Sequence, residues 1–215
     1  MSKFKAFIFD LDGVITDTAE FHYLAWKQLT EEEGMSFNRE VNEDLKGVSR
    51  IESLKRILQH NERSVSDEKL HSWAERKNNY YVDFIKKITP EYMLPKMLSI
   101  LKNLKGNGFK TALGSASKNA RAVLNGLKIT DYFDIIGDGN SVKNSKPAPD
   151  LFLFCAEQLN VTPAECLVVE DAEAGIEAAK SAAMTAVGIG DANKLNEADY
   201  VFASTSDINL SLIIG

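Results

Sequence analysis

The stretch FKAFIFDLDGVITDT, residues 4–18, decides how the chain is read. Residues 4–9 are an apolar and aromatic run that predicts a short buried strand. The run stops at Asp10-Leu11-Asp12-Gly13, an acidic turn. The pattern then becomes helical over 17–33, where Phe21, Leu24, Ala25 and Leu29 share one face. Asp17 or Thr18 can cap that helix and Gly34 can end it. A lone pair of aspartates in a turn is often only a solvated cap. Set between a buried strand and GVITDT, it reads as a site.

Further helices are predicted near 39–45, 49–60 and 66–87, with no persuasive strand between Thr16 and Ile88. A helical block inserted after a first strand suggests a small bundle, closed by Pro90 and Pro95. Helix and strand then alternate. Helices are expected at 95–106, 118–127, 149–160 and 173–183, and strands at 110–114, 134–137, 166–170, 185–189 and 199–203. This order predicts an α/β fold, a Rossmann-like parallel sheet core with an inserted helical cap domain. The expected division is a core of 1–15 and 94–215 with a cap of 16–93.

The bulk numbers narrow the classes. With 215 residues, 44% hydrophobic and 26% charged, a core of useful size can be buried. A formal charge of -6 argues against a nucleic-acid binder. The apolar run before Asp10 is too short for a signal peptide or a membrane span. Cys155 and Cys166 carry no metal-ligand spacing and read as buried thiols in a reducing compartment. The expectation is a cytoplasmic monomer with no nucleic-acid or membrane partner.

Three predicted strands end in polar residues: the first in Asp10 and Asp12, the second in Ser115, the third in Glu170 and Asp171. In open α/β sheets ligands bind outside the carboxyl ends of the strands, so these endings should converge. Clustered carboxylates repel one another, and a hard cation such as Mg²⁺ relieves that conflict. Lys146, in SKPAPD just before a predicted helix, suits a phosphate oxygen. Metal, ammonium, hydroxyl and amides together suit phosphoryl transfer, for which a carboxylate can be the nucleophile.

DLDGVITDT at 10–18, GSAS at 114–117, SKPAPD at 145–150 and VVEDAEAG at 168–175 together resemble the haloacid dehalogenase superfamily. The resemblance implies Asp10 as nucleophile and Asp12 as general acid/base. It implies Mg²⁺ held by Asp10, the Asp12 carbonyl and Asp171 with Glu170 beside it, and a phosphoryl group held by Ser115 and Lys146. TAEFHYLAW at 18–26, LKGVSR at 45–50, RKN at 76–78 and SASKN at 115–119 narrow the resemblance to sugar-phosphate mutases of that family. This implies interconversion of β-glucose 1-phosphate and glucose 6-phosphate through an aspartyl-phosphate and a bound 1,6-bisphosphate. A second phosphate would lie against Arg50, Ser117, Lys118 and Asn119. The sugar would face Thr18, His22, Trp26, Lys46, Gly47, Val48, Ser49, Lys77 and Ala116. The rival readings are a sugar-phosphate phosphatase on the same scaffold and a catalytically silent phosphate-binding scaffold.

Blander roles compete at several positions. His22 can pack or hydrogen-bond rather than touch substrate, Trp26 can fill the cap, and Arg50 can serve an ion pair. Glu170 and Asp171 can cap the helix that follows. His60 and His71 read as surface, and Glu31–Glu33 as a solvated helix end. The chain departs from the family pattern at Lys96, where Gly is common, and at Ala172, where Ser is frequent.

Overall fold

The structure, a computed structural model, describes residues 3–45 and 48–210. Six strands form one parallel sheet: β1 (Ala6–Phe9), β2 (Lys110–Gly114), β3 (Ile135–Gly137), β4 (Cys166–Glu170), β5 (Thr185–Ile189) and β6 (Tyr200–Phe202). Their order is β3-β2-β1-β4-β5-β6. The chain moves outward on one side from β1 to β3, then returns beside β1 and moves outward again. That reversal opens a crevice at the carboxyl ends of β1 and β4. Phe9 pairs with Leu113 on one side and Val169 on the other, which brings the three expected strand endings level.

Both faces of the central strands are covered, so they read as continuous apolar runs rather than alternating ones. Phe7, Phe9, Leu113, Leu167 and Val169 point to one layer, and Ala6, Ile8, Ala112, Cys166 and Val168 to the other. Helices α5 (Met97–Gly106) and α6 (Ala120–Leu127) cover the first face. Helices α7 (Asp150–Leu159) and α8 (Glu173–Ser181) cover the second.

Between β1 and α5 lie α1 (Ala19–Glu32), α2 (Arg39–Glu43), α3 (Arg50–His60) and α4 (Asp67–Ile85). This block has its own apolar cluster, including Trp26, Leu29, Leu54, Ile57, Leu70 and Trp73. The two connections to the sheet run side by side. Leu94 N donates to Ile15 O at 2.9 Å, and Thr16 Oγ1 to Tyr92 O at 2.6 Å.

Most predicted elements end one or two residues inside their expected spans, as fraying allows. Two details differ from expectation. Asp17 Oδ1 accepts from Ala19 N at 2.9 Å, but the Thr18 hydroxyl turns away from α1 toward Asp12. Glu32 and Glu33 are not merely solvated: both pair with Arg76 on α4, and Tyr80 donates to Glu32 at 2.7 Å. The last turn of α1 is thereby tied to α4. Lys96 takes φ +66, the left-handed region where glycine is easiest, at the position where the family pattern carries Gly. Among the described residues, no helix is long and apolar enough to cross a membrane.

Candidate active site

Asp10 leaves the end of β1 and is 7% exposed. Lys146 reaches it from the loop before α7, with Nζ donating to Asp10 Oδ1 at 2.5 Å. The same ammonium bonds Glu170 at the end of β4. Lys146 and Glu170 are essentially inaccessible to solvent. Burial alone would lower the Lys146 pKa, but Asp10 and Glu170 outweigh it and hold the ammonium charged. Burial pushes Glu170 up to about 7 in spite of Lys146. Two carboxylates and one ammonium buried together are costly to the fold, which marks the cluster as a site rather than a stabilising device.

Asp10, Glu170 and Asp171 each offer an oxygen within 4.8 Å of the others'. An all-carboxylate donor set fits a hard divalent cation. Two glycines make the approach possible. A Cβ on Gly13, which also has φ +75, would fall 2.1 Å from Asp171 Oδ2. A Cβ on Gly175 would fall 2.0 Å from the Glu170 carboxyl carbon. Glu170 Oε2 also accepts from the backbone N–H groups of Asp171 and Ala172 ahead of α8. These two groups precede the first turn, so Glu170 braces the turn into α8 without capping it, and no side chain caps that helix among the described residues.

Asp12 faces the other way. Its Oδ1 accepts from the Thr18 hydroxyl and from Thr18 N at 3.3 Å. Burial, and then the neighbouring Asp10 charge, push its pKa up to about 7. A carboxyl poised near neutrality can give and take a proton at working pH.

The facing wall comes from the helical block. Lys77 is 2% exposed, stands over the rings of Trp26 and Tyr81, and meets His22 Nδ1 at 2.8 Å. Burial, then Arg50, drive the Lys77 pKa well below its ordinary value. Burial, then Lys77, do the same to His22. A neutral His22 accepting at Nδ1 carries its proton on Nε2, 3.9 Å from Asp12 Oδ2. Burial likewise lowers the Arg50 pKa. Among the described residues neither Lys77 nor Arg50 forms an ion pair.

A cleft of about 1360 Å³ separates the two walls. Asp10, Asp12, Asp171, Lys146 and the loop Ser115–Asn119 line the sheet side; His22, Trp26, Val48, Ser49, Arg50 and Lys77 line the other. Trp26 fills the block's core as well, and Ser49 also caps α3 by accepting from Glu52 N. Thr18 is not on the cleft surface: it is fully buried beneath Asp12. Glu170 lies behind the cleft wall, and Lys46 and Gly47 fall outside the described residues. His71 is exposed as expected, yet at the rim of the cleft. The structure adds Asn78 and Tyr81 from α4 and the turn Asp138–Asn140 after β3. The turn had a signal, because β3 lies beside β2 and must end at the same edge of the sheet.

A parallel sheet with a buried carboxylate bonded to a buried lysine, and an acidic triad, at its switch point fits a phosphoryl-transfer enzyme. The haloacid dehalogenase-like hydrolase family profile matches residues 4–183, and the chain belongs to that family. It is 47% identical to the β-phosphoglucomutase of Bacillus subtilis over 97% of this chain and 93% of that protein. It is 31% identical to a phosphorylated carbohydrates phosphatase of Thermotoga maritima, over 90% of this chain and 88% of that one. The crystal structure of a Clostridium difficile β-phosphoglucomutase superposes with a TM-score of 0.94 at 48% identity, covering 98% and 95% of the two chains.

Proposed function

We propose that the chain is a mutase that interconverts β-glucose 1-phosphate and glucose 6-phosphate through an aspartyl-phosphate and a bound 1,6-bisphosphate. One observation carries this reading. A single cleft has cationic groups on both walls, Lys146 below and Arg50 above, and room for a doubly phosphorylated hexose. A phosphatase needs only the lower set. The match to the Bacillus subtilis mutase over nearly the whole chain supports the same choice.

In this reading residues 16–93 act as a cap over a core of 1–15 and 94–215. Asp10 attacks phosphorus through a carboxylate oxygen while Lys146 holds its Oδ1. The Asp10–phosphorus bond forms, the bond to the sugar oxygen breaks, and Asp12 gives that oxygen its proton. In the return step a sugar hydroxyl loses its proton to Asp12 and takes the phosphoryl group, freeing Asp10. Ser115 and Lys146 hold the moving group. Arg50 and the loop Ser117–Asn119 hold the other phosphate, and arginine's planar fork suits its oxygens. Asp10, the Asp12 carbonyl and Asp171, with Glu170 beside them, would keep Mg²⁺ at the core wall, where the ion would offset charge on the phosphoryl oxygens. Buried free thiols at Cys155 and Cys166 accord with a cytoplasmic enzyme.

The test is a coupled assay for glucose 6-phosphate, started from β-glucose 1-phosphate with Mg²⁺. The expected result is turnover that rises when the 1,6-bisphosphate is added. Release of inorganic phosphate with no glucose 6-phosphate would make the enzyme a phosphatase.

A further inference from the structure

Ala74, Lys77, Asn78 and Tyr81 recur on α4 at helical spacing, and all four line the cleft. A stripe at that spacing belongs to a core, and Ala74 and Tyr81 are buried as core residues are. Asn78 is a half-buried polar member of the stripe, and the reaction steps above do not use it. Its Oδ1 accepts from Asn119 Nδ2 at 2.7 Å. This bond crosses from the helical block to the loop after β2, between residues 41 positions apart.

Asn119 forgoes a local bond to make this one. It stands at the N-cap of α6, where an asparagine side chain ordinarily accepts from N–H groups of the first turn. Here it makes no such bond. The loop backbone is turned by Ser117 instead, whose Oγ accepts from Asn119 N at 3.2 Å. The Asn119 carboxamide is thereby free of its own helix and set by α4. Its nitrogen carries two N–H groups, and Asn78 takes one. Among the described residues the Asn119 side chain makes no other hydrogen bond, so the second N–H stays available to a ligand in the cleft. Turning the Asn119 amide over by itself would set two carbonyl oxygens face to face. Asn78 therefore also decides which end of that amide is which.

We propose that Asn78 is a positioning residue for the distal phosphate, holding the Asn119 amide off the α6 N-terminus with its second N–H ready for a phosphate oxygen. A released Asn119 would fold back to cap α6, or turn its carbonyl oxygen toward the anion. Either costs the phosphate a donor. A neutral acceptor suits this task, since it fixes the donor without placing negative charge beside the phosphate. The proposal deepens the mutase reading and rests on it for the second phosphate at Arg50 and the loop Ser117–Asn119.

The experiment measures turnover from β-glucose 1-phosphate against the concentration of the 1,6-bisphosphate, for wild type, Asn78→Ala, Asn119→Ala and the double variant. Asn78→Ala should raise the half-saturating bisphosphate concentration roughly two- to tenfold, the equivalent of one net hydrogen bond, while kcat hardly changes. Asn119→Ala removes the donor itself and should raise it at least as far. The double variant should be no worse than Asn119→Ala, because Asn78 acts only through Asn119. Unchanged half-saturation in Asn78→Ala, a loss confined to kcat, or two losses that multiply would each overturn the positioning role. Asn78→Ser, too short to span the gap, should match Asn78→Ala and is judged by the same outcomes if the Ala variant does not fold. Arg50→Ala is measured alongside. If Arg50→Ala and Asn119→Ala raise half-saturation and neither Asn78 variant does, the role of Asn78 alone is refuted. If Arg50→Ala and Asn119→Ala also leave it unchanged, the reading of the distal phosphate falls and takes this proposal with it.

Discussion

Asp10 and Asp12 are separated by one residue and face different partners, Lys146 and Thr18. That difference divides their chemistry. Asp12→Asn keeps the backbone carbonyl and removes the titrating oxygen, so turnover of sugar phosphates should slow by about 10²–10⁴-fold. A nitrophenyl phosphate, whose leaving group needs no proton, should still phosphorylate Asp10 at nearly the wild-type rate in single-turnover mixing. Equal slowing of both donors would assign Asp12 to structure or metal. Arg50→Ala should weaken the grip on the distal phosphate by roughly 1.5–3 kcal/mol, the span for a hydrogen bond to a charged group. Bisphosphate affinity reads that loss, while aryl phosphate hydrolysis should hardly change. Asp10, Lys146 and Asp171 could be found in the sequence because each stands in a motif or at a strand end. Tyr81 could not. An aromatic on a helix is normally core, and only the folded chain brings its hydroxyl to Thr18.

Strands and helices were legible for a related reason: burial on both faces of the sheet forces uninterrupted apolar runs, and AFIF, TALG and CLVVE have no other good reading. Caps were less legible, since a local pattern cannot show that a tertiary partner will take the capping group. Thr18 lost its expected capping role to Asp12, and Glu170, expected as a possible cap of α8, bonds the two N–H groups ahead of that helix instead. A similar tertiary bond pins β5 and yields a pH prediction. Asp199 Oδ2 accepts from Ala186 N, and Lys180 donates to Oδ1, each at 2.7 Å. Burial would raise the Asp199 pKa, but these two donors together hold it below 3.8. A depressed carboxylate stabilises the fold above its unfolded pKa and loses that effect as pH falls through the folded value. Asp199→Asn should therefore cost about 0.5–1 kcal/mol near pH 6, the modest range of a partly exposed pair. The deficit should shrink below pH 3.8. Urea unfolding at pH 6 and pH 3 checks this, and an equal deficit at both would mean that the carboxylate charge plays no part.

The whole molecule is two walls around one cleft. Its general plan was readable from a helical block placed between the first strand and an αβ alternation. How the walls meet was not, because the contacts of Tyr81, Asn78 and Lys77 join residues dozens of positions apart without a local signature. Cations on both walls of the cleft suit a phosphoryl group that passes through Asp10 from one sugar oxygen to another. The most direct test starts from enzyme labelled with radioactive phosphate by a small donor and freed of that donor. Unlabelled β-glucose 1-phosphate is added, and the products are separated within one turnover. Label should leave Asp10 and appear first in the 1,6-bisphosphate, with little as inorganic phosphate. Label released to inorganic phosphate at the same rate with and without the sugar would contradict it.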